Sequence, residues 1–311
     1  MPAPASPLVI VNPAANMGRA RQLEARVRAT LGANGIAARV VETRAAGHAE
    51  ELAADAAAQG HDRVVAVGGD GTMQEVVNGL MAEPPPGMPR PTLGVVAAGS
   101  GNDLARSLEL PLAPLDALAV ALGPQVRPLD LGTARVGTRQ RFFVAAGGTG
   151  FDADVAHTMA PPRAAWQRGR AGYFLSTLNV LRRHANRPLT VSLQEADGAT
   201  RTVEGRFLFI AFANGKYYGG GMQICPDASN GDGVLDVCLV GDISRLGALQ
   251  QLPGIYRAKH VNHPLVELLR ITSMTIEGPA DTRVHLDGEP LGTLPVEVGV
   301  RAAALQVAVS G

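Results

Sequence analysis

The chain has 311 residues, 46% of them hydrophobic and 18% charged, the size and balance of a folded protein with two domains. Lys plus Arg equals Asp plus Glu at 28 each, so no global charge draws it toward nucleic acid or an anionic membrane, and any such attraction must be local. No stretch reaches the roughly 18 uninterrupted apolar residues that read as a membrane span.

Taken in chain order, the first 130 or so residues alternate between two periodicities. Leu8–Val11 is a short apolar β-run, and residues 18–31 carry Leu23, Val27 and Leu31 four apart, one stripe of a helix that Gly32 and Gly35 stop. Residues 37–41 read as a strand, 48–59 as an Ala-rich helix, 63–67 as a strand, 72–81 as a helix and 92–97 as a strand. Such alternation with short loops predicts an α/β domain, a parallel sheet with helices on both faces. Beyond residue 132 the pattern turns β-rich, with strands expected at 141–146, 189–194, 202–213, 234–240, 273–277 and 282–286. Helices are expected at 171–184 and 243–259, and a last strand at 304–309 could serve either domain. The expected boundaries are therefore 1–132 for the α/β domain, which 293–311 could complete, and 133–292 for the β-rich one.

Two cysteines, Cys225 and Cys238, form neither a CxxC nor a metal-type cluster, and MPAPASPLVIVNP lacks the basic and apolar regions of a signal peptide. The expectation is a cytoplasmic protein with both thiols reduced in the core.

The strongest chemical feature is Gly68-Gly69-Asp70-Gly71-Thr72 at a strand end, running into the helix that begins Met73-Gln74. Glycines let backbone amides approach phosphate oxygens, and a helix start favours an anion. Asp70 fits if Mg²⁺ sits between it and the phosphates, or if it orients a water or a lysine; a plain βα turn capped by Asp is the bland alternative. A second turn, Gly99-Ser100-Gly101-Asn102-Asp103, repeats the logic at the next strand end, and Asn12-Pro13-Ala14-Ala15-Asn16 follows the first strand. Adjacent parallel strands deliver such loops to one crevice. GxxxxGK[ST] is absent, and so is GxGxxG with a following acid, which argues against an NAD dehydrogenase. Further on, residues 226–236 are dense in Asp, Asn and Gly, a set of oxygens for a hard cation or simply a solvated turn. His285-Leu286-Asp287-Gly288-Glu289 reads most simply as a hairpin turn.

Together these segments resemble the diacylglycerol kinase catalytic-domain superfamily, especially its bacterial lipid kinases, in order and over nearly the whole chain. The resemblance implies a nucleotide-binding domain with a C-terminal β-sandwich and an active site in the cleft between them. It implies ATP and Mg²⁺ as cofactors, with Asn12, Pro13, Ala14, Ala15 and Asn16 as a nucleotide loop that reads NPAAN where the family has NPxSG. It further implies nucleotide contacts from Thr43, from Gly68, Gly69, Asp70, Gly71, Thr72, Met73 and Gln74, and from Ser100, Asn102 and Asp103. Ser229, Asp232 and Val234 match a structural metal site, Ser229 and Val234 through backbone carbonyls. Glu289 matches the family's proton acceptor, with Asp70 the alternative base.

The expected reaction is ATP-dependent phosphorylation of a membrane lipid hydroxyl, diacylglycerol first, with an NAD kinase-like enzyme as the runner-up because GGDGT is common to both. Residues 161–187 hold Arg163, Arg168, Arg170, Arg182, Arg183 and Arg187 with no acid, beside Trp166, Tyr173, Phe174, Leu178 and Leu181. That is either an interfacial segment giving transient membrane association or a helix packed on the sandwich with solvated arginines. Nucleic acid is not an expected partner, and oligomeric state is left open.

Overall fold

A computed structural model describes residues 6–15, 20–159 and 169–311, without the side chains of 20–21 and 169–174. The described chain forms two compact units, Met1–Leu131 with Ala302–Gly311, and Gly132–Arg301.

In the first unit, β1 (Leu8–Val11), β2 (Arg39–Glu42), β3 (Arg63–Gly68) and β4 (Thr92–Ala97) form a parallel sheet. The order is β2-β1-β3-β4, continued by the end of β15 (Val296–Ala308) through Val307 opposite Leu93. β1, β3 and β4 are apolar runs buried on both faces, as strands covered by helices must be. Helices α1 (Ala20–Ala33), α2 (His48–Ala58), α3 (Asp70–Leu80), α4 (Asp103–Ser107) and α5 (Pro114–Leu122) follow the strands. The predicted stripe Leu23, Val27 and Leu31 packs with Val9, Val11, Val65, Val67 and Val96 in one core cluster.

In the second unit, β7 (Ala146–Gly150), β10 (Phe209–Ala213), β11 (Leu235–Val240) and β12 (Val266–Glu277) pair antiparallel in the order β7-β10-β11-β12. The hairpin of β13 (Arg283–Leu286) and β14 (Glu289–Thr293) adds to β7. β8 (Arg187–Glu195) and β9 (Thr200–Phe207) form a second hairpin paired to the far half of β12, which also takes the start of β15. β5 (Val126–Val136) pairs with β6 (Arg139–Phe143). Along β10, Ile210 and Phe212 face the sandwich core with Val191, Val237 and Ile276. Their neighbours Phe209, Ala211 and Ala213 face a second core. That second core is completed by α6 (Phe151–Met159), α7 (Gly169–Arg183) and α8 (Arg245–Ile255) through Phe151, Leu181 and Ala248. An α/β unit with a parallel sheet, followed by an antiparallel sandwich, is therefore the architecture that the sequence predicted.

The structure differs from the pattern reading in one instructive place. The run 202–213, read as one strand, is broken at Leu208 into β9 and β10, which belong to different pairings. Leu208 leaves the ladder and donates its N–H to Val240 O at 2.9 Å, so the run divides between two different strand pairings.

Candidate active site

In the order β2-β1-β3-β4, the chain winds one way from β1 and the other way from β3, so the switch point lies between them. The turns leaving β1 and β3 are NPAAN and GGDGT, and they are bonded to each other. Asn12 donates its backbone N–H to Val67 O at 2.9 Å. Its Nδ2 donates to Thr72 Oγ1 at 3.0 Å, while its Oδ1 accepts the Ala14 N–H at 3.0 Å. Pro13, Ala14 and Ala15 continue this turn at the surface; Asn16 lies outside the described residues. Thr43 follows β2 directly, half-buried, its N–H on Val11 O at 2.9 Å.

The two glycine turns meet backbone to backbone: a Cβ on Gly99 would lie 2.6 Å from Gly69 Cα. Asp70, the first residue of α3, reaches across this contact. Its Oδ2 accepts the Asn102 N–H at 2.9 Å and its Oδ1 the Asp103 N–H at 2.7 Å. α4 has no cap from Asn102, its own N-cap residue, so the carboxylate from 32 positions earlier satisfies that helix start. Asn102 sits at φ 59° and turns its Oδ1 back onto the Gly99 N–H at 2.9 Å. Each Asp70 oxygen keeps further acceptor capacity, so this bonding is compatible with a second partner. Gly71 is half-buried and Ser100 exposed at the surface of the turns, whereas Thr72, Gln74 and Asp103 are buried. Met73, 2% exposed, packs inward, which leaves only its backbone to face a ligand. The result is a pair of closely packed glycine turns at the start of an 11-residue helix, where N–H groups and the dipole favour phosphate oxygens.

In the second unit, Asp287 (φ 48°) and Gly288 (φ 84°) make the two-residue turn between β13 and β14. The Asp287 carboxylate accepts three backbone N–H groups, from Val144 at 3.0 Å, Ala145 at 2.9 Å and Ala146 at 3.1 Å. Asp287 is thus the anchor of the turn, and Glu289 is its exposed carboxylate. Behind it, buried His285 places Nε2 3.2 Å from Asp152 Oδ2, and its Nδ1 accepts the Gly288 N–H at 3.3 Å. Burial raises the Asp152 carboxyl above its ordinary value, against the pull of the adjoining imidazole. The pattern reading singled out the segment 285–289 but not Asp152, which is 133 positions from His285. The only hint was an acid two positions after the glycine-rich AGGTG run.

The loop 226–234 brings together hard oxygen donors. Asp232 Oδ1 accepts the Val234 N–H at 3.4 Å, and its Oδ2 is held by Arg270 Nη2. Burial pushes Asp236 up to about 6, with Arg270 opposing and Asp232 and Asp227 adding to the rise, and its Oδ2 is buried without a hydrogen-bond partner. Among the described residues no group of three or more His, Cys, Asp or Glu is placed to hold a metal ion, so a hard cation bound at this loop would draw on backbone carbonyls besides Asp232. Arg270 would share or cede Asp232 to it.

Of the basic segment, Arg163, Trp166 and Arg168 lie outside the described residues, as do the side chains of Arg170, Tyr173 and Phe174. Leu181 packs into the second core, so it is not part of any surface. Leu175 is 54% exposed, and Arg182 and Arg183 are exposed at the end of α7. Arg245 at the start of α8 donates Nε to His184 O at 3.0 Å, joining the two helices.

Paired glycine turns at the switch point of a parallel sheet, followed by a sandwich bearing a fixed acidic turn, fit a two-part phosphotransferase. The chain belongs to the diacylglycerol kinase family: residues 6–134 match the diacylglycerol kinase catalytic domain, and residues 145–309 the YegS C-terminal NAD kinase beta sandwich-like domain. It is 33% identical over 261 residues to the diacylglycerol kinase of Mycobacterium tuberculosis strain H37Rv, covering 83% of this chain and 80% of that protein. It is 32% identical over 283 residues to a Chromohalobacter salexigens protein named "Probable lipid kinase YegS-like", covering 91% and 86%. A solved diacylglycerol kinase from Bacillus anthracis str. Sterne has the same fold, with a TM-score of 0.73 at 23% identity over 98% of this chain and 97% of that one.

Proposed function

We propose that this lipid kinase transfers the γ-phosphoryl group of ATP to the free hydroxyl of diacylglycerol, giving phosphatidic acid. The observation that carries the donor half is the Asp70-bridged pair of glycine turns at the switch point, a preformed anion cradle. Asn12 to Asn16, Thr43, Gly68 to Gln74, Ser100, Asn102 and Asp103 would hold the nucleotide. Mg²⁺ would supply charge neutralisation at the phosphates, with Asp70 the carboxylate available to it, and a second cation would rest on Ser229, Asp232 and Val234. Phosphoryl transfer demands positioning and charge compensation, and the acceptor hydroxyl must lose a proton, which Glu289 accepts in this reading. Glu289→Gln is expected to abolish turnover while ATP still binds, measured by single-turnover transfer and by nucleotide titration. Near-wild-type turnover in that variant would remove Glu289 from the mechanism.

The acceptor half rests on the relatives and on a surface. Residues 155–194 and 243–266 contain neither Asp nor Glu. They include α7 and α8, whose inner faces share one core, so their outer faces share one side of the second unit. Leu246 (66% exposed) and Leu249 (37%) on α8 and Tyr256 (47%) just beyond its end are exposed apolar side chains with Arg245, Arg257 and Lys259 near them in the sequence. Apolar side chains among cations suit peripheral contact with an anionic lipid surface, at about 1 kcal/mol per basic residue. The NAD kinase alternative has the GGDGT turn in its favour but gives this surface no purpose.

A further inference from the structure

We infer that Asp152 and His285 form a positioning pair that sets the orientation of the acidic turn, and through it of Glu289. This rests on the reading of Glu289 as the proton acceptor. The backbone N–H of Gly288 can only donate, so the His285 Nδ1 that receives it must be unprotonated. A neutral imidazole then carries its proton on Nε2, where it donates to Asp152 Oδ2. Asp152 accepts in either of its own charge states, and its Oδ1 is fixed by the Ala153 N–H at 2.7 Å. The chain of bonds runs from the start of α6 through the imidazole to the residue before Glu289.

The fold makes room for the pair at one position. Gly148 on β7 lies opposite His285 in the ladder, and any Cβ there would collide with Asp152 Oδ2. A side chain of any kind at 148 would push the carboxylate off the imidazole. Asp287 fixes one side of the turn through its three amides, and His285 fixes the other through Gly288, so the residue that follows has little freedom.

The test uses the full chain and kinetics with a readout that mere stability does not move. His285→Leu removes both bonds, whereas His285→Asn offers an acceptor for Gly288 alone. The expected result for His285→Leu is a kcat lower by ~10–100-fold at unchanged ATP KM, partly restored in His285→Asn. On whatever residual single-turnover rate Glu289→Gln retains, His285→Leu should add no further loss, because both act through one group. Should His285→Leu misfold, nitrogen-15 spectra of the wild-type imidazole give a second reading: protonated Nε2 and bare Nδ1 are expected, and a protonated Nδ1 overturns the inference. Wild-type kcat in a folded His285→Leu, equal losses in Leu and Asn, or additive losses with an impaired Glu289→Gln each overturn it alone. Full activity in Glu289→Gln overturns the Glu289 assignment and this inference together.

Discussion

Asp70 and Asp236 show how differently two carboxylates can be used. Asp70 spends its charge on two backbone N–H groups that would otherwise leave the start of α4 unsatisfied. Charge-assisted bonds of this kind are each worth about 1.5–3 kcal/mol. Asp70→Ala should therefore lower unfolding free energy by about 2–4 kcal/mol in urea titration, besides removing activity; an unchanged midpoint would show that the bridge is not formed. Asp236 has the opposite problem, since burial favours its neutral form. Its folded value, about 6, exceeds its ordinary 3.8, so the native state holds the proton more tightly and stability from this group falls as pH rises between those values. In EDTA, Asp236→Asn should raise Tm at about pH 8 and change it little at about pH 4. A lower Tm at the higher pH would refute the assignment of strain to that carboxylate. The thiols are simpler: burial pushes Cys238 up to about 12 and Cys225 well up, the behaviour of the inert core residues that their lack of motif predicted.

At the level of elements, the parallel strands were legible because each is an apolar run with a glycine or polar turn at its end. The same logic fails for β5, which carries Pro128, Asp130 and Gly132, and for β15, of which only the end was anticipated. Both are long, and the chain passes from one compact unit to the other within each, so neither has the uniform burial that a pattern needs. The Asp152–His285 pair was invisible for another reason: pairing over 133 positions leaves no local signal. The glycine turns were legible as motifs, but not the fact that Gly69 and Gly99 approach so closely. Gly99→Ala should separate the turns and weaken nucleotide binding at least about 10-fold by calorimetric titration, since contact of backbone with backbone cannot relax by rotamer change. Unaltered affinity would mean that the turns do not act as one cradle. On α8, Leu246→Glu with Leu249→Glu should leave the unfolding free energy within about 0.5 kcal/mol of wild type, because both side chains are exposed. Flotation with phosphatidylglycerol vesicles should fall steeply, and equal flotation would remove α8 from the membrane contact.

For the whole molecule, composition excluded more than it assigned: equal numbers of acidic and basic residues gave no partner, and the reading came from ordered motifs spread along the chain. Among the described residues no helix is long and apolar enough to cross a membrane. Diacylglycerol as the acceptor of the phosphoryl group is open to a direct assay. Purified protein, given ATP labelled in the γ-phosphate, Mg²⁺ and mixed vesicles containing diacylglycerol, with NAD present as competitor, should place the label in phosphatidic acid. Label in NADP, or in no lipid at all while ATP is bound, would contradict it.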